Sequence, residues 1–447
     1  MPIGTFMGLQ TALRGILAQQ QALDTTGHNI ANANTVGFTR QEALLAPTPA
    51  YSEPSTTRGA QAGQIGTGVE VTAYRRIRDE FIDTQLHAQT MREGYYGALS
   101  DGLTQVEQAL NEPSDTGLSS LLQSFWSSWQ DVANSPENPS TRQALVQNAA
   151  SLTDGLQQLS GQLSTIQSQT ATNASSTLDE INADAATVAQ LNDEIKRAKV
   201  VGDTPNDLLD QRDVLVDKLA QLVNVTRVDN ADGTIDLRVG TTSLVTATTA
   251  TSRQESDFAA GDITAGKLAG LLQLRDTVLP QQSSDLDAIA AELVAQVNAV
   301  HAAGVDLNGN AGTAFFTGTS ASTIAVSPAI LADPKLVAAS ANGAPGDGAQ
   351  ALAVAALQRT STIDSDYQRF VTKVGSDSRD ATRTSDNATS LASALENRRE
   401  SVSGVSLDEE MANLLKFQRG FQASSRALSA MDDMIELLVT RTGRVGL

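Results

Sequence analysis

The side chains that could do chemistry in this sequence are few and widely spaced. The three histidines, His28, His87 and His301, lie far apart in the chain, and none stands at the spacing of a metal-ligand pair. Cysteine is absent, which leaves no thiolate nucleophile, no cysteine metal site and no disulfide framework. The sequence therefore predicts no catalytic residue and no metal site.

Two short stretches resemble the start of ligand-binding loops. Asp306-Leu-Asn-Gly-Asn begins like a calcium loop, but Ala311 occupies the sixth position, where glycine is needed, and Thr317 the twelfth, where glutamate is needed. Gly66-Thr-Gly is too short for a dinucleotide fingerprint and no βαβ pattern follows it. We interpret residues 306–310 as a polar turn and predict no cofactor.

The charge balance excludes some classes of partner. The formal net charge is −20, from 51 acidic and 31 basic residues. Binding to nucleic acid or to an anionic membrane needs clustered lysine and arginine. No run approaches the ~18 apolar residues of a membrane span, so no membrane insertion is expected. Residues 1–15 lack a basic segment followed by an apolar core, so no cleavable signal peptide is predicted. A cytoplasmic protein and one exported without a cleaved signal both fit.

The strongest helical pattern lies near the C-terminus, in residues 406–440. Apolar residues repeat there at steps of three and four, which is the heptad spacing of a coiled coil. The predicted seam consists of Leu407, Leu414, Phe417, Phe421, Leu428, Met431, Ile435 and Leu438. Glu410 and Ser424 interrupt the apolar series, and Ser406 with Glu409 forms a capping box. Such a stripe needs a partner helix.

A matching stripe lies near the N-terminus. Its residues are Phe6, Leu9, Leu13, Ile16, Leu23 and Ile30. Two interpretations are open. The two terminal helices pair with each other, so that the rest of the chain forms a loop between them; or they are unrelated amphipathic helices that cover a globular core.

The middle of the chain alternates between helical and strand patterns. Residues 69–77 alternate like a strand, and helix is predicted from Asp79 to about Leu110. Large apolar side chains cluster in residues 113–139, and a very long helix follows, with Ser140 and Gln143 as its capping box. A hairpin is predicted around residues 230–233, and helix returns in residues 286–300 and 349–400.

These patterns predict a mainly α fold with a β insert, elongated and divided into several domains. The predicted terminal coiled-coil domain comprises residues 1–50 and 404–447. The helical rod domain comprises residues 51–223, 281–304 and 347–403. A β-rich outer region comprises residues 224–280 and 305–346.

Motifs at both ends resemble those of the bacterial flagellar axial proteins of the rod, hook and junction. Asn-Ile-Ala-Asn-Ala-Asn-Thr-Val-Gly-Phe-Thr-Arg, residues 29–40, resembles their N-terminal signature, and residues 404–426 resemble their closing helix. The motif residues are Asn29, Asn32, Asn34, Thr35, Gly37, Phe38 and Arg40. The internal stretches 129–134, 206–213 and 301–316 also match. With the two end motifs, they make the chain most similar to the hook-associated family of the hook–filament junction (FlgK).

The resemblance implies a structural role outside the cell and no enzymatic activity. A family member would be exported through the flagellar type III apparatus and would assemble with itself as a ring at the hook tip. Its other partners would be the hook protein, a second junction protein or flagellin, and a cytoplasmic export chaperone that covers the C-terminal helix. Larger members carry an extra outer domain, whereas residues 224–346 here leave room only for a modest β insert.

Three alternatives remain. The chain could be another axial component, of the hook or rod, or a secreted interaction protein with coiled-coil ends. An enzyme such as a wall hydrolase would need a site in residues 224–346, where the sequence offers none.

Overall fold

The computed structural model describes residues 6–51 and 65–441, in which helices predominate. Residues 1–5, 52–64 and 442–447, which the predicted domains include, lie outside the described residues. The helices are α1 (Phe6–Ala31), α2 (Glu80–Leu110), α3 (Leu118–Asn134), α4 (Pro139–Val200), α5 (Asn206–Leu222), α6 (Gly266–Gln273), α7 (Leu279–Ala302), α8 (Pro328–Ala332), α9 (Ala349–Thr360), α10 (Ile363–Ser403) and α11 (Leu407–Arg441). The strands are β1 (Gln41–Pro47), β2 (Val69–Arg76), β3 (Val225–Asp229), β4 (Ile235–Val239), β5 (Thr242–Thr246), β6 (Thr249–Ala250), β7 (Phe316–Thr317) and β8 (Ala325–Val326). This architecture confirms the mainly α class with β insertions.

The two ends of the chain pair in nested layers. α1 packs along α11, and α2 packs along α10, so that elements equally far from the two termini are neighbours. The β1–β2 hairpin lies between these layers and contacts α1. Of the two interpretations left open by the terminal stripes, the structure supports the one in which the terminal helices pair.

A first hydrophobic cluster lies around the aromatic residues of α3. Phe125, Trp126 and Trp129 are fully buried against Phe315 and Phe316 from the segment between α7 and α8. The Trp126 indole donates to the first-turn carboxylate of α10, at 2.9 Å from Asp364 Oδ1, which satisfies its polar atom inside an apolar site. The large apolar side chains clustered in residues 113–139 thus form the packing centre of the helical domain.

The long helix α4 joins this cluster to a second one. Its first half, from Leu145 to Leu163, packs in the first cluster, and its second half, from Ala174 to Ile195, faces α5 and the β3–β6 sheet. The predicted capping box at Ser140 was wrong, because the helix begins one residue earlier. Asn138 is the N-cap, accepting from the Ser140 amide at 2.9 Å, and Pro139 fills the first turn, where no amide hydrogen is needed.

The β-rich regions are smaller than predicted. β3 to β6 form an antiparallel sheet in residues 225–250, with Gly233 at φ +88° in the predicted turn. Residues 266–280, predicted as part of a β-rich region, are helical, and residues 305–346 contain only two-residue strands. The apolar side chains of this second segment are buried in the first cluster, so packing against helices replaces a ladder of strand hydrogen bonds. β1, the partner of β2, was also missed.

Candidate assembly interface

The terminal helices α1 and α11 run antiparallel at close approach. A Cβ on Gly8 would lie 2.7 Å from Met431 Sδ, and a Cβ on Gly15 would lie 2.9 Å from Ser424 Oγ. Both distances are shorter than an ordinary carbon contact, so a side chain at either position would require Met431 or Ser424 to shift. The helix pair is therefore joined through small residues.

The predicted N-terminal stripe is only partly at this contact. The buried residues of α1 are Ala12, Ala18, Ala22, Thr25, Thr26 and Asn29. The predicted residues Leu9, Ile16, Leu23 and Ile30 are half-buried, while Phe6 and Leu13 remain 65% and 44% exposed. The prediction that Phe6 and Leu13 lie in the seam between the helices was wrong, because alanine and threonine permit a closer approach than leucine or phenylalanine would.

The C-terminal stripe shows the same division. Half-buried along α11 are Leu414, Phe417, Phe421, Leu428, Met431 and Ile435. Leu407 and Leu438 were also predicted in the seam, and they are exposed. Glu410, which we interpreted as an interruption, is only 2% exposed and is the most buried part of the helix. A sequence signal for it exists, since Glu410 stands seven residues before Phe417, in step with the seam.

Large apolar side chains are left on the outside of the helix pair. The exposed ones are Phe6, Leu13, Leu17, Leu407, Met411, Leu415, Met434, Leu437, Leu438 and Val439. Full burial of an exposed side chain of this size contributes about 1.5–3 kcal/mol, and these partly covered residues would gain a share of it, so further helices packed on this pair would stabilise it. The arrangement can bind other helical surfaces.

The exit motif after α1 folds back onto both terminal helices. The Asn29 side chain exchanges two hydrogen bonds with the Gln41 backbone, donating to its carbonyl at 2.8 Å and accepting from its amide at 3.0 Å. Asn32 donates to the His28 carbonyl at 3.1 Å and accepts from Thr35 Oγ1 at 3.2 Å, which closes the turn at the helix end. Asn34 lies exposed in this turn.

Gly37 and Phe38 dock the motif on neighbouring residues. Gly37 has φ +77°, and a Cβ there would lie 2.0 Å from Val214 Cγ2, so a side chain is excluded twice. The Phe38 ring packs edge-on against His28 with 5.3 Å between centroids. Arg40 reaches α11, where its Nε donates to Glu410 Oε1 at 2.8 Å and its Nη1 to Glu409 Oε2 at 2.5 Å. Asn29 and Arg40 thus connect the two terminal helices and the start of the first strand, whereas Gly37 lies against α5 and Phe38 against α1.

Charged side chains connect this motif to the helical domain. The Thr39 amide donates to Asp210 at 2.9 Å, and Arg76 binds both Asp210 and Asp213, at 2.8 and 2.7 Å. Asp213 also accepts from Arg78, and from Arg227 Nη1 at 2.8 Å. This set of residues 39, 76, 78, 210, 213 and 227 is called the charged joint below.

The charged joint continues across α2, α5 and α10. Asp217 accepts from His87 Nε2 at 2.6 Å and from Arg399 Nη1 at 2.7 Å. A cleft of about 550 Å³ lies beside these residues, between the exit motif and the last turn of α10. The joint therefore ties three helices and the β1–β2 hairpin to the chain leaving α1.

Two opposing effects set the pKa values of the aspartates in the joint: burial raises them, and the basic side chains lower them. Burial by itself raises the pKa of Asp213, but the guanidinium groups of Arg78, Arg76 and Arg227 outweigh it and hold that pKa below its usual value. Burial also opposes ionisation of Asp217, yet its hydrogen bond from His87 and the charge of Arg399 lower its pKa. Burial raises the pKa of Asp210, because the bonds from Arg76 and Thr39 offset only part of that cost.

No group of three or more histidine, cysteine, aspartate or glutamate residues in the described part of the chain could hold a metal ion. Within residues 6–51 and 65–441, no helix is both long enough and apolar enough to cross a membrane. His301 is fully buried and bonded on both ring nitrogens, to the Thr313 carbonyl at 2.6 Å and the Ala338 amide at 2.8 Å, which gives it a structural role.

The terminal regions define the class of protein. Residues 9–39 match the model of the flagella basal body rod protein family, and residues 398–440 match that of the flagellar basal body rod FlgEFG protein C-terminal region. These are the segments that form the helix pair and exit motif. Both ends of the chain therefore resemble protein families of the bacterial flagellar basal body.

The middle of the chain narrows the class to one family. Residues 103–316 match the flagellar hook-associated protein FlgK helical domain. Flagellar hook-associated protein 1 of Bacillus subtilis (strain 168) is 31% identical, over 98% of this chain and 99% of its own length. The chain belongs to the flagellar hook-associated protein 1 (FlgK) family, whose members are structural proteins of the flagellum.

Two further proteins match only part of this chain. Flagellar hook-associated protein 1 of Salmonella typhimurium is 33% identical over 68% of this chain, and the match spans 58% of that protein. The structure of the flagellar hook junction protein FlgK from Burkholderia pseudomallei has the same fold, with a TM-score of 0.64 over 71% of this chain and 100% of that chain at 17% identity.

Proposed function

We propose that this chain is the adaptor that joins the flagellar hook to the filament. It leaves the cell through the flagellar type III apparatus without a cleaved signal peptide and assembles as a ring of subunits at the hook tip. Its neighbours are further copies of itself, the hook protein on one side, and a second junction protein or flagellin on the other. It acts as a structural protein and not as an enzyme.

The observation that carries this proposal is the surface of the terminal helix pair. Its inner contact uses small residues, and ten large apolar residues remain exposed along α1 and α11. A pair of helices with so little internal burial is marginally stable in water, because packing supplies most helix stability in proteins. Neighbouring subunits in an axial assembly would supply the missing burial, so we assign the terminal helices as the assembly interface.

The same surface supports the proposal of an export chaperone. Exposed leucine and methionine side chains on α11, such as Leu407, Met411, Leu415 and Leu437, are a liability in a monomer at cytoplasmic concentrations. A chaperone that covers the C-terminal helix until export would keep the chain from associating early. Co-purification of the full chain and of a chain lacking residues 407–447 tests this, because only the full chain should retain the chaperone.

Deletion of the gene followed by electron microscopy tests the adaptor role. We expect bare hooks on the cells and flagellin in the culture medium, because filaments would have nothing to attach to. Normal filaments and full swimming in a strain with no second copy would contradict the proposal.

A hook or rod component is the second candidate, because both terminal matches are to rod families. A deletion strain without hooks would favour it. The number of subunits per flagellum also separates the two, since a junction ring is short and a hook is a long polymer. The match of residues 103–316 to the FlgK helical domain favours the junction.

A further inference from the structure

The contact between α1 and α11 repeats every seven residues on both helices. Contacts along one face join Gly8 to Met431, Gly15 to Ser424 and Asn29 to Glu410. Residue numbers thus rise in multiples of seven on α1 while they fall by the same multiples on α11. The same register puts Ala22, which is 1% exposed, opposite Phe417. The pairing therefore has a single antiparallel register over three heptads.

The small residues of this seam do not by themselves select that register. If α11 slid by one heptad along α1, Gly15 would face Phe417 and Gly8 would face Ser424. Glycine accepts either neighbour, so these two pairs would bring no large side chains together. An apolar seam built from glycine and alanine on one side is therefore compatible with more than one alignment, because nothing in it rejects the wrong partner.

Glu410 is the one residue of this face that a slide would penalise strongly. In the observed register its Oε2 accepts from Asn29 Nδ2 at 3.2 Å and its Oε1 from Arg40 Nε at 2.8 Å. After a slide of one heptad it would face Ala22, which has no polar side-chain atom. A buried carboxylate without a partner costs several kcal/mol, so this alignment would be rejected.

The partners of Glu410 are themselves fixed in place. Asn29 is held by its two hydrogen bonds to the Gln41 backbone. The Arg40 backbone donates to the Ser403 carbonyl at 2.9 Å, and its carbonyl accepts from Ile77 at 2.9 Å. Asn29 on α1 and Arg40 are thus anchored to the start of the β1–β2 hairpin and to the end of α10, and both meet Glu410 of α11 in the observed register.

We propose that Glu410 is a positioning residue that sets the register of the terminal helix pair through Asn29 and Arg40. A single buried polar contact in an otherwise apolar seam is a known means of specifying coiled-coil alignment. The register decides which apolar side chains of α1 and α11 stand next to each other on the outer surface. The inference concerns the free chain and does not depend on the proposed place of the protein in the flagellum.

Disulfide trapping in the full chain tests this directly, because the sequence has no cysteine of its own. A Cβ on Gly15 would lie 3.5 Å from Ser424 Cβ, within the range of about 3.5–4.5 Å found in disulfides. The pair Gly15→Cys with Ser424→Cys therefore reports the observed register. Gly15→Cys with Phe417→Cys, and Gly15→Cys with Met431→Cys, report slides of one heptad in either direction.

Each pair is placed in three backgrounds: the otherwise unchanged chain, Glu410→Ala, and Glu409→Ala. Glu409 is the matched control, since it binds the same arginine at the next position but has a 63% exposed side chain outside the seam. We expect the observed-register disulfide to predominate in the unchanged chain and in Glu409→Ala. In Glu410→Ala we expect its yield to fall severalfold while the yield of a slid pair rises severalfold.

An unchanged disulfide pattern in Glu410→Ala would overturn the inference. Loss of all three disulfides in Glu410→Ala would also overturn it, because the cluster would then hold the helices together without setting their register. The same shift in Glu409→Ala would overturn it as well, by assigning the effect to the charge on Arg40. Circular dichroism of each variant confirms that the helical domain is folded.

Discussion

At the scale of single residues, Asp213 binds more charged side chains than any other residue of the charged joint. It is 7% exposed at its side chain and binds Arg76, Arg78 and Arg227. Removing Asp213 would take one carboxylate from each of the three arginines, although Arg76 keeps Asp210, Arg78 keeps Asp83 and Arg227 keeps Asp229 as partners. The three arginines would then also repel one another.

Because each arginine keeps one carboxylate, we expect Asp213→Asn to lower the free energy of unfolding by about 1–3 kcal/mol, the typical cost of losing one buried hydrogen-bond partner. Urea unfolding of the full chain, followed by circular dichroism, measures this. Asp193→Asn is the control, because that residue forms an exposed pair with Arg197 on α4, and exposed pairs contribute about 0–1 kcal/mol. Equal losses in the two variants would mean that the joint is no more important than a surface pair.

The pKa values of the joint predict a dependence on acid. Asp213 and Asp217 have folded-state pKa values below the usual 3.8. Their ionised forms therefore contribute stability that is fully present above that value and is lost as the pH falls through the folded-state pKa. Asp210 changes stability with pH in the opposite direction, because its folded-state pKa is raised. Its contribution to stability is present below pH 3.8 and is lost as the pH rises.

We expect the chain to lose stability below about pH 4, and Asp213→Asn to lose less of it over the same range. Unfolding midpoints in urea at a series of pH values from about 3 to 6 measure both curves. Parallel curves for the two proteins would show that Asp213 does not titrate differently in the folded state.

Residue positions illustrate what a heptad pattern can and cannot predict. Spacing indicated the two helices that pair, and Leu414, Phe417 and Ile435 of the predicted seam are half-buried on α11. Spacing could not show that alanine and threonine would occupy the inner face of α1, because apolar leucines and small residues both fit helical periodicity. It also concealed Glu410, since burial of a charge depends on partners more than 360 residues away in the chain.

At the scale of elements, a substitution on α11 should affect assembly without unfolding the helical domain. Leu414 is half-buried on the seam with α1, so Leu414→Ala removes packing from the terminal pair and leaves both hydrophobic clusters of the helical domain intact. We expect a loss below the roughly 2–5 kcal/mol of a fully buried leucine, and a larger effect on assembly than on the middle of the chain.

Complementation of the deletion strain measures this effect. Leu414→Ala and Leu428→Ala should fail to attach filaments of normal strength, while thermal unfolding of the helical domain stays close to that of the unchanged chain. Leu352→Ala is the matched control, being a half-exposed leucine on α9 in the helical domain. Normal attachment in both α11 variants would show that packing in this seam is not needed for assembly.

Element boundaries were predictable where local signals agreed. The long helix was predicted because its apolar stripe persists, and it stays continuous through residues 170–177, where the stripe weakens. Thr170 and Thr177 are buried there and donate to the carbonyls of Ile166 and Asn173, at 2.8 Å each, so their hydroxyls are satisfied within the helix. β1 was missed because Gln-Glu-Ala-Leu-Leu-Ala-Pro has little strand preference, and pairing with β2 determines its conformation.

At the scale of the whole molecule, stability is divided unequally between the ends and the middle. The two hydrophobic clusters hold fully buried aromatic and aliphatic side chains of α2 to α10, whereas the terminal pair buries mainly alanine, threonine and one charged cluster. Local opening occurs most readily where few apolar contacts hold the backbone. The chain should therefore open first at its ends.

We expect limited proteolysis of the free full chain to remove the terminal helices first and to leave a resistant fragment close to residues 79–403. The same digestion of the protein in isolated hook–junction assemblies should spare the ends, because neighbouring subunits would bury the exposed leucines of α1 and α11. Mass spectrometry of the fragments locates the cuts, and a casein control confirms equal protease activity in both samples. Resistance of the free chain from end to end would mean that the helix pair is stable by itself and that assembly does not order it.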